Sequence, residues 1–190
     1  MKILAISGSL RAASINSALL RTIVRLAPDE IELFQGLGEL PLFNPDRESN
    51  IPATVNDFRR LVAAADAILI ASPEYAHGVT GSIKNALDWL VSYEPFAYKA
   101  VAVLNASSRA QHADAALREI LKTMAANVVE SASVTIPLLG AGLDENGMVQ
   151  TLSIVEAIRK MLSSLHEAVA VQRPSQSPSF PVPTQCLPTS

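Results

Sequence analysis

Cysteine occurs once, at position 186, in a chain of 190 residues. That excludes an internal disulfide framework and any cysteine-built metal cluster. Charge of one sign is scarce as well: 15 Lys and Arg against 18 Asp and Glu leave a net charge of −3. So mild a balance gives no reason to expect nucleic acid or a membrane surface as partner. No apolar run approaches the roughly 20 residues that a bilayer span requires. Met1 to Ser7 reads directly as a strand, without the basic start and cleavage site of a signal peptide, and a cytoplasmic protein is expected. A Gly-x-Ser-x-Gly elbow is missing, which argues against a serine hydrolase acting through Ser9 or Ser72. No internal repeat is visible. What is plentiful is apolar residues, at 49%. They are enough for one domain with a substantial core, with an apolar patch to spare for self-association.

The apolar residues alternate between two patterns. Lys2–Ser7, Glu30–Phe34, Ala67–Ala71, Val101–Leu104 and Val128–Ile136 have the length and branching of buried strands. Between them, Ser17–Leu26, Ala53–Ala65, Ser82–Leu90 and Ala110–Met124 repeat at helical spacing, and Gln150–Val169 closes the series. Alternation of this kind calls for an α/β fold with an open parallel sheet and right-handed crossovers. The expected architecture is flavodoxin-like, three layers α/β/α, with five parallel strands in the order 2-1-3-4-5. Residues 1–171 form that domain, and residues 172–190, rich in Pro and Ser, read as a disordered tail carrying Cys186. The Pro-containing loop from Gln35 to Pro52 is read as a surface connection, its length leaving open a lid or subunit contact.

Two polar loops stand out. Gly8-Ser9-Leu10-Arg11-Ala12-Ala13-Ser14-Ile15-Asn16 joins the first strand to the first helix. Free amides at a helix N-terminus, the positive end of the helix dipole, hydroxyls and the Arg11 fork together suit a terminal phosphate monoester. Gly8 allows the tight turn. A plain N-cap by Ser14 or Asn16 explains the same residues equally well. The loop lacks the Gly-Lys-Ser/Thr ending of a triphosphate loop and the further glycines of a dinucleotide turn. The second loop, Ser72 to Gly81, follows the third strand, which neighbours the first in the expected order, so both loops flank the reversal of winding where such sheets bind ligands.

Taken together, Gly8-Ser9-Leu10-Arg11 with Ser14 and Asn16, then Pro73-Glu74-Tyr75, then Lys84-Asn85-Ala86-Leu87-Asp88-Trp89-Leu90 resemble the NADPH-dependent FMN reductase family over residues 1–170. That family includes flavin, quinone, azo-dye and chromate reductases. The resemblance implies FMN as cofactor, NADPH or NADH as hydride donor, and a quinone, free flavin or similar small molecule as acceptor. It further implies a homodimer or homotetramer with the flavin near a subunit contact. Carried over by residue, Ser9, Arg11, Ser14, Ile15 and Asn16 hold the phosphate. Pro73, Glu74, Tyr75 and Ala76 run along the ring, and Ser107 is a further flavin contact. Neither a catalytic side chain nor a metal is implied, because the cofactor carries the chemistry. A flavodoxin-type electron-transfer protein on the same fold is the alternative.

The chain departs from the family's pattern at three places. Ala76 stands where Asn is common, which removes a side-chain hydrogen bond. Thr80 replaces a frequent Pro and is expected to loosen its turn, and Ser107-Ser108-Arg109-Ala110 replaces a glycine-rich stretch. Glu74 is expected to orient rather than act as a base. His77 is read as a substrate or partner-chain contact or as a solvated loop residue, and His112 and His166 as surface positions. Trp89 and Leu90 belong to core or interface, and Lys84 with Asp88 forms an ordinary helix pair or part of a subunit contact.

Overall fold

The structure is a computed structural model, and it describes residues 1–172. Five parallel strands run in the order expected: β1 (Ile3–Ser7), β2 (Ile31–Phe34), β3 (Ala67–Ala71), β4 (Ala100–Asn105) and β5 (Asn127–Val128) lie as β2-β1-β3-β4-β5. The predicted strand over Val128–Ile136 is broken in two. Asn127–Val128 pairs with the start of β4, and a sixth strand, β6 (Val134–Thr135), pairs with its end. Between them Glu130–Ala132 makes a 3₁₀ turn, and the Ser133 hydroxyl takes the place of a ladder bond, accepting from Val103 N–H at 3.0 Å and donating to Val129 C=O at 2.9 Å.

Among the described residues six α-helices cover the sheet: α1 (Ile15–Leu26), α2 (Ala53–Ala64), α3 (Gly81–Asp88), α4 (Gln111–Thr123), α5 (Glu145–Gln150) and α6 (Leu152–Gln172). The single closing helix expected from sequence is thus two, split at Thr151, whose extended backbone ends α5 while its hydroxyl bonds back to Gly147 C=O at 2.7 Å. The second runs on to Gln172, whose side chain donates to Tyr98 C=O, so Gln172 belongs to the helix. Residues 173–190, expected as a disordered tail with Cys186, lie outside the described residues.

Alternate residues of each strand point to opposite layers. Ile3, Ala5, Leu69 and Ala102 meet Leu19, Ile23, Ile158 and Leu165 of α1 and α6. Leu4, Ile6, Ile70 and Val103 meet Phe58, Ile83, Leu87 and Leu121 of α2, α3 and α4. All five residues of β3 are buried, as a central strand covered on both faces requires. Trp89 is core: it is fully buried, edge-on to Phe43, and its Nε1–H donates to Pro41 C=O at 2.8 Å. Asn85 completes the attachment. Its Oδ1 accepts from Phe43 N–H at 2.8 Å and its Nδ2 donates to Pro41 C=O at 3.0 Å. The Pro-containing loop is therefore strapped onto α3. Lys84 and Asp88 form the helix pair expected of their spacing.

Gly8 is where the first and third strands are locked together. Its N–H donates to Ala71 C=O at 2.8 Å. Its backbone is not left-handed, so the turn itself does not require glycine. The requirement is lateral, since a Cβ at Gly8 would lie 2.2 Å from Ser72 Oγ and 2.6 Å from Ser72 Cβ. Gly8→Ala is expected to destabilise the fold by about 1–3 kcal/mol through overpacking. Adding Ser72→Gly, which removes both clashing atoms, should recover most of the loss in Tm. A Gly8→Ala variant that melts like the parent would contradict the close approach.

Candidate functional site

The carboxyl ends of β1, β3 and β4 feed three connections that meet along one edge of the sheet. In the first, Ser14 is the N-cap of α1, its hydroxyl accepting from Ser17 N–H at 3.4 Å. Asn16 lies inside the helix. Capping by Ser14 leaves two amides over: Ile15 and Asn16, the first two residues of α1, have no acceptor for their N–H among the described residues. Ser9 Oγ accepts from Arg11 N–H at 3.3 Å, which curls the loop and leaves the exposed Arg11 guanidinium without an acidic partner among the described residues. Asn16 is 5% exposed, and its Oδ1 is buried with no hydrogen-bond partner. Ser9 and Arg11 line a crevice of about 380 Å³ reaching toward the end of β2. Ser14 and Ile15 line a neighbouring one of about 460 Å³ shared with Arg21 and Arg25.

The second connection is fastened to the first. Thr80 caps α3 by accepting from Ile83 N–H at 3.3 Å, and its hydroxyl donates to Gly8 C=O at 2.6 Å. Ser82 Oγ donates to the same carbonyl at 3.0 Å. Thr80 therefore tightens this turn, contrary to the loosening expected where Pro is replaced: a hydroxyl does here what a Pro ring cannot. Between Ser72 and Thr80 the chain makes a two-residue hairpin, with Tyr75 and Gly78 bonded to each other through both N–H and C=O at 3.1 and 3.0 Å. Ala76 and His77 at its tip have φ of +48° and +59°. This is the geometry of a type I′ turn, which Asn and Gly adopt readily and Ala does not. The amides of Glu74, Ala76 and His77 have no acceptor among the described residues.

The third connection starts from Asn105. Its Oδ1 accepts from Ser107 N–H at 2.9 Å, and Ser107 Oγ accepts from Arg109 N–H at 3.2 Å. Ser107 lines a separate crevice of about 340 Å³ with Arg109, Pro137 and Leu139. Two contacts that the sequence did not suggest tie this connection to the second. Glu74 Oε2 accepts from Ala113 N–H at 2.9 Å, and His77 stacks on His112 with ring centroids 4.3 Å apart. His166, by contrast, is remote and pairs with Glu30 at 2.8 Å.

A sequence profile described as NADPH-dependent FMN reductase matches residues 1–139. This chain belongs to that family. An NAD(P)H-dependent FMN reductase of Pseudomonas aeruginosa is 34% identical over 175 residues, covering 87% of this chain and 93% of its own. A quinone reductase of Escherichia coli is 34% identical over 113 residues, covering 56% of this chain and 60% of its own. Among solved structures, FerB from Paracoccus denitrificans, a flavoenzyme NAD(P)H:(acceptor) oxidoreductase, shares the fold. It gives a TM-score of 0.71 at 24% identity over 90% of this chain and 98% of that one. The chain is thus an oxidoreductase, with FMN as its cofactor and NAD(P)H as its hydride donor.

The donor set fits such a cofactor. FMN ends in a phosphate, which only accepts, carried on a polyol, whose hydroxyls also donate. Free amides, hydroxyls and a guanidinium suit the first, and the buried Asn16 Oδ1, an acceptor lacking a donor, suits the second. At the hairpin tip, an alanine with positive φ costs on the order of 1 kcal/mol. Ala76→Asn is expected to stabilise this FMN reductase, read as a Tm raised by about 1–3 °C. Ala76→Val should lower it, and a reversed order of the two would rule out a left-handed residue at this position.

Proposed function

We propose that this reductase transfers hydride equivalents from NAD(P)H to a quinone or free flavin, with the FMN held by the three connections just described. The observation that carries the reading is the pair of uncommitted amides and the partnerless Asn16 Oδ1 at the start of α1, fixed against the next loop through Gly8. When bound, FMN supplies the relay of two electrons between donor and acceptor.

The chain's own part is to bind and orient. Ser9, Arg11, Ser14, Ile15 and Asn16 take the phosphate end, the amides through the helix dipole and Arg11 through its full charge. Pro73, Glu74, Tyr75 and Ala76 border the ring, with the free N–H groups of Glu74 and Ala76 offered to its polar edge, and Ser107 closes the far side. No side-chain base is required. Glu74, the carboxyl on that loop, is already engaged by Ala113 N–H and so serves orientation. Exposed Tyr75 beside an open site is compatible with a donor that leaves before the acceptor enters.

A second copy of the chain covers the exposed Leu42 and Val91 in this reading, giving a homodimer or homotetramer near the flavin. Both residues belong to the loop and helix end strapped together by Asn85 and Trp89. The mild net charge of −3 supports a reading with neither nucleic acid nor a membrane surface as partner, and we place the reductase in the cytoplasm. No helix among the described residues is long and apolar enough to cross a membrane.

Purified protein with FMN should oxidise NADPH or NADH when a benzoquinone is supplied. Protein that leaves a desalting column colourless after excess FMN, without prior quenching of flavin fluorescence, would overturn the reading. Arg11→Ala removes a charge-assisted contact of roughly 1.5–3 kcal/mol, so its FMN Kd should rise about 10- to 100-fold. An unchanged Kd would free Arg11 of that role.

A further inference from the structure

Helix α4 starts without a cap of its own. Ala110 occupies the N-cap position and has no side chain to accept a hydrogen bond. One of the orphan amides of the first turn, Ala113 N–H, is instead bonded at 2.9 Å to Glu74, a residue of the loop after β3. A carboxylate at that point meets both a donor and the positive end of the helix. One residue earlier on α4, His112 carries the ring on which His77 stacks. The hairpin is thus bolted to α4 at two places, at Glu74 before its left-handed pair Ala76 and His77 and at His77 within that pair. A two-residue turn built from Ala and His has little reason of its own to stay in that shape.

We infer that Glu74 is a positioning residue for the flavin ring: its carboxylate, anchored on the N-terminus of α4, fixes where the free amides of residues 74, 76 and 77 stand. The His77–His112 stack is the second, weaker bolt. The inference rests on the reading that this loop borders FMN, and it assigns the Glu74 side chain to α4 rather than to the cofactor.

Comparing FMN with riboflavin separates this role from phosphate binding, because riboflavin has the ring and lacks the phosphate. Fluorescence titration of apoprotein gives both Kd values. Glu74→Ala should raise the Kd for FMN and for riboflavin by the same factor, about tenfold for the loss of one charged hydrogen bond. Arg11→Ala should weaken FMN alone. Glu74→Gln keeps an acceptor oxygen and should restore both affinities to within about threefold of the parent, while amide exchange at Ala113 returns toward the parent rate. His112→Ala removes only the stack and should show the same equal weakening, to a smaller extent. It also stands in should Glu74→Ala not fold.

Unchanged riboflavin affinity in Glu74→Ala, or a Gln variant as weak as the Ala variant, overturns the inference while leaving the reductase reading intact. A parent protein that binds neither flavin removes the reading beneath it instead.

Discussion

The contact between Gly8 and the end of β3 is the constraint from which the rest of the site follows. At that point two strand ends approach closely enough to exclude even a methyl group. The glycine's N–H is taken by Ala71, and its carbonyl receives the hydroxyls of Thr80 and Ser82. One residue of the first connection is thereby bound to both the start and the finish of the second. The amides at the start of α1 and those of the hairpin tip become parts of one rigid surface, although the sequence separates them widely. A larger residue at position 8 would part the two loops without touching either set of amides.

A second tie extends the same principle across the sheet. Glu74 and His77 join the hairpin to α4, so three consecutive strand ends are cross-linked by side chains at their carboxyl edge. Regular ladder hydrogen bonds hold the strands themselves, but they end where the loops begin. Beyond that edge a loop keeps its shape only through such cross-links or through its own turn geometry. Here the turn geometry is unfavourable at Ala76 and His77, and the cross-links are correspondingly dense. Local strain held in place by neighbours is common where a backbone must face a ligand.

The order of the sheet could be read from the chain because parallel strands buried on both faces leave continuous apolar runs, as Ala67–Ala71 does, and because alternation with helices restricts the winding. The broken fifth strand could not, since the Ser133 hydroxyl replaces a backbone partner and leaves no mark in periodicity. At the site, Ser14 is the cap that its residue type suggests, while the two amides it leaves free follow from the geometry of the helix start and carry no mark in residue type. The need for glycine at position 8 was visible, but its cause was not, because the obstructing Ser72 lies far along the chain. The tie made by Thr80 is hidden in the sequence for a similar reason: the carbonyl that its hydroxyl reaches belongs to another loop. Pairings between distant segments are set by tertiary approach, and the single sequence carries no spacing rule for them.

If the cofactor is held as proposed, its binding surface is made mainly of peptide groups, and that changes where substitutions matter. Ala76 lacks the side-chain amide common in the family, yet its backbone N–H is present whatever residue stands there. The loss falls on the ease of holding a positive φ more than on the stock of hydrogen-bond donors. The side chains of Thr80 and Glu74 and the bare α-carbon of Gly8, by contrast, face other parts of the protein, yet each ties down a segment that carries free amides. Affinity in such a site is therefore governed as much by the residues that aim the backbone as by those, such as Arg11, that offer a charge. Exposed Tyr75 lies outside these ties, so a substitution there leaves that framework in place.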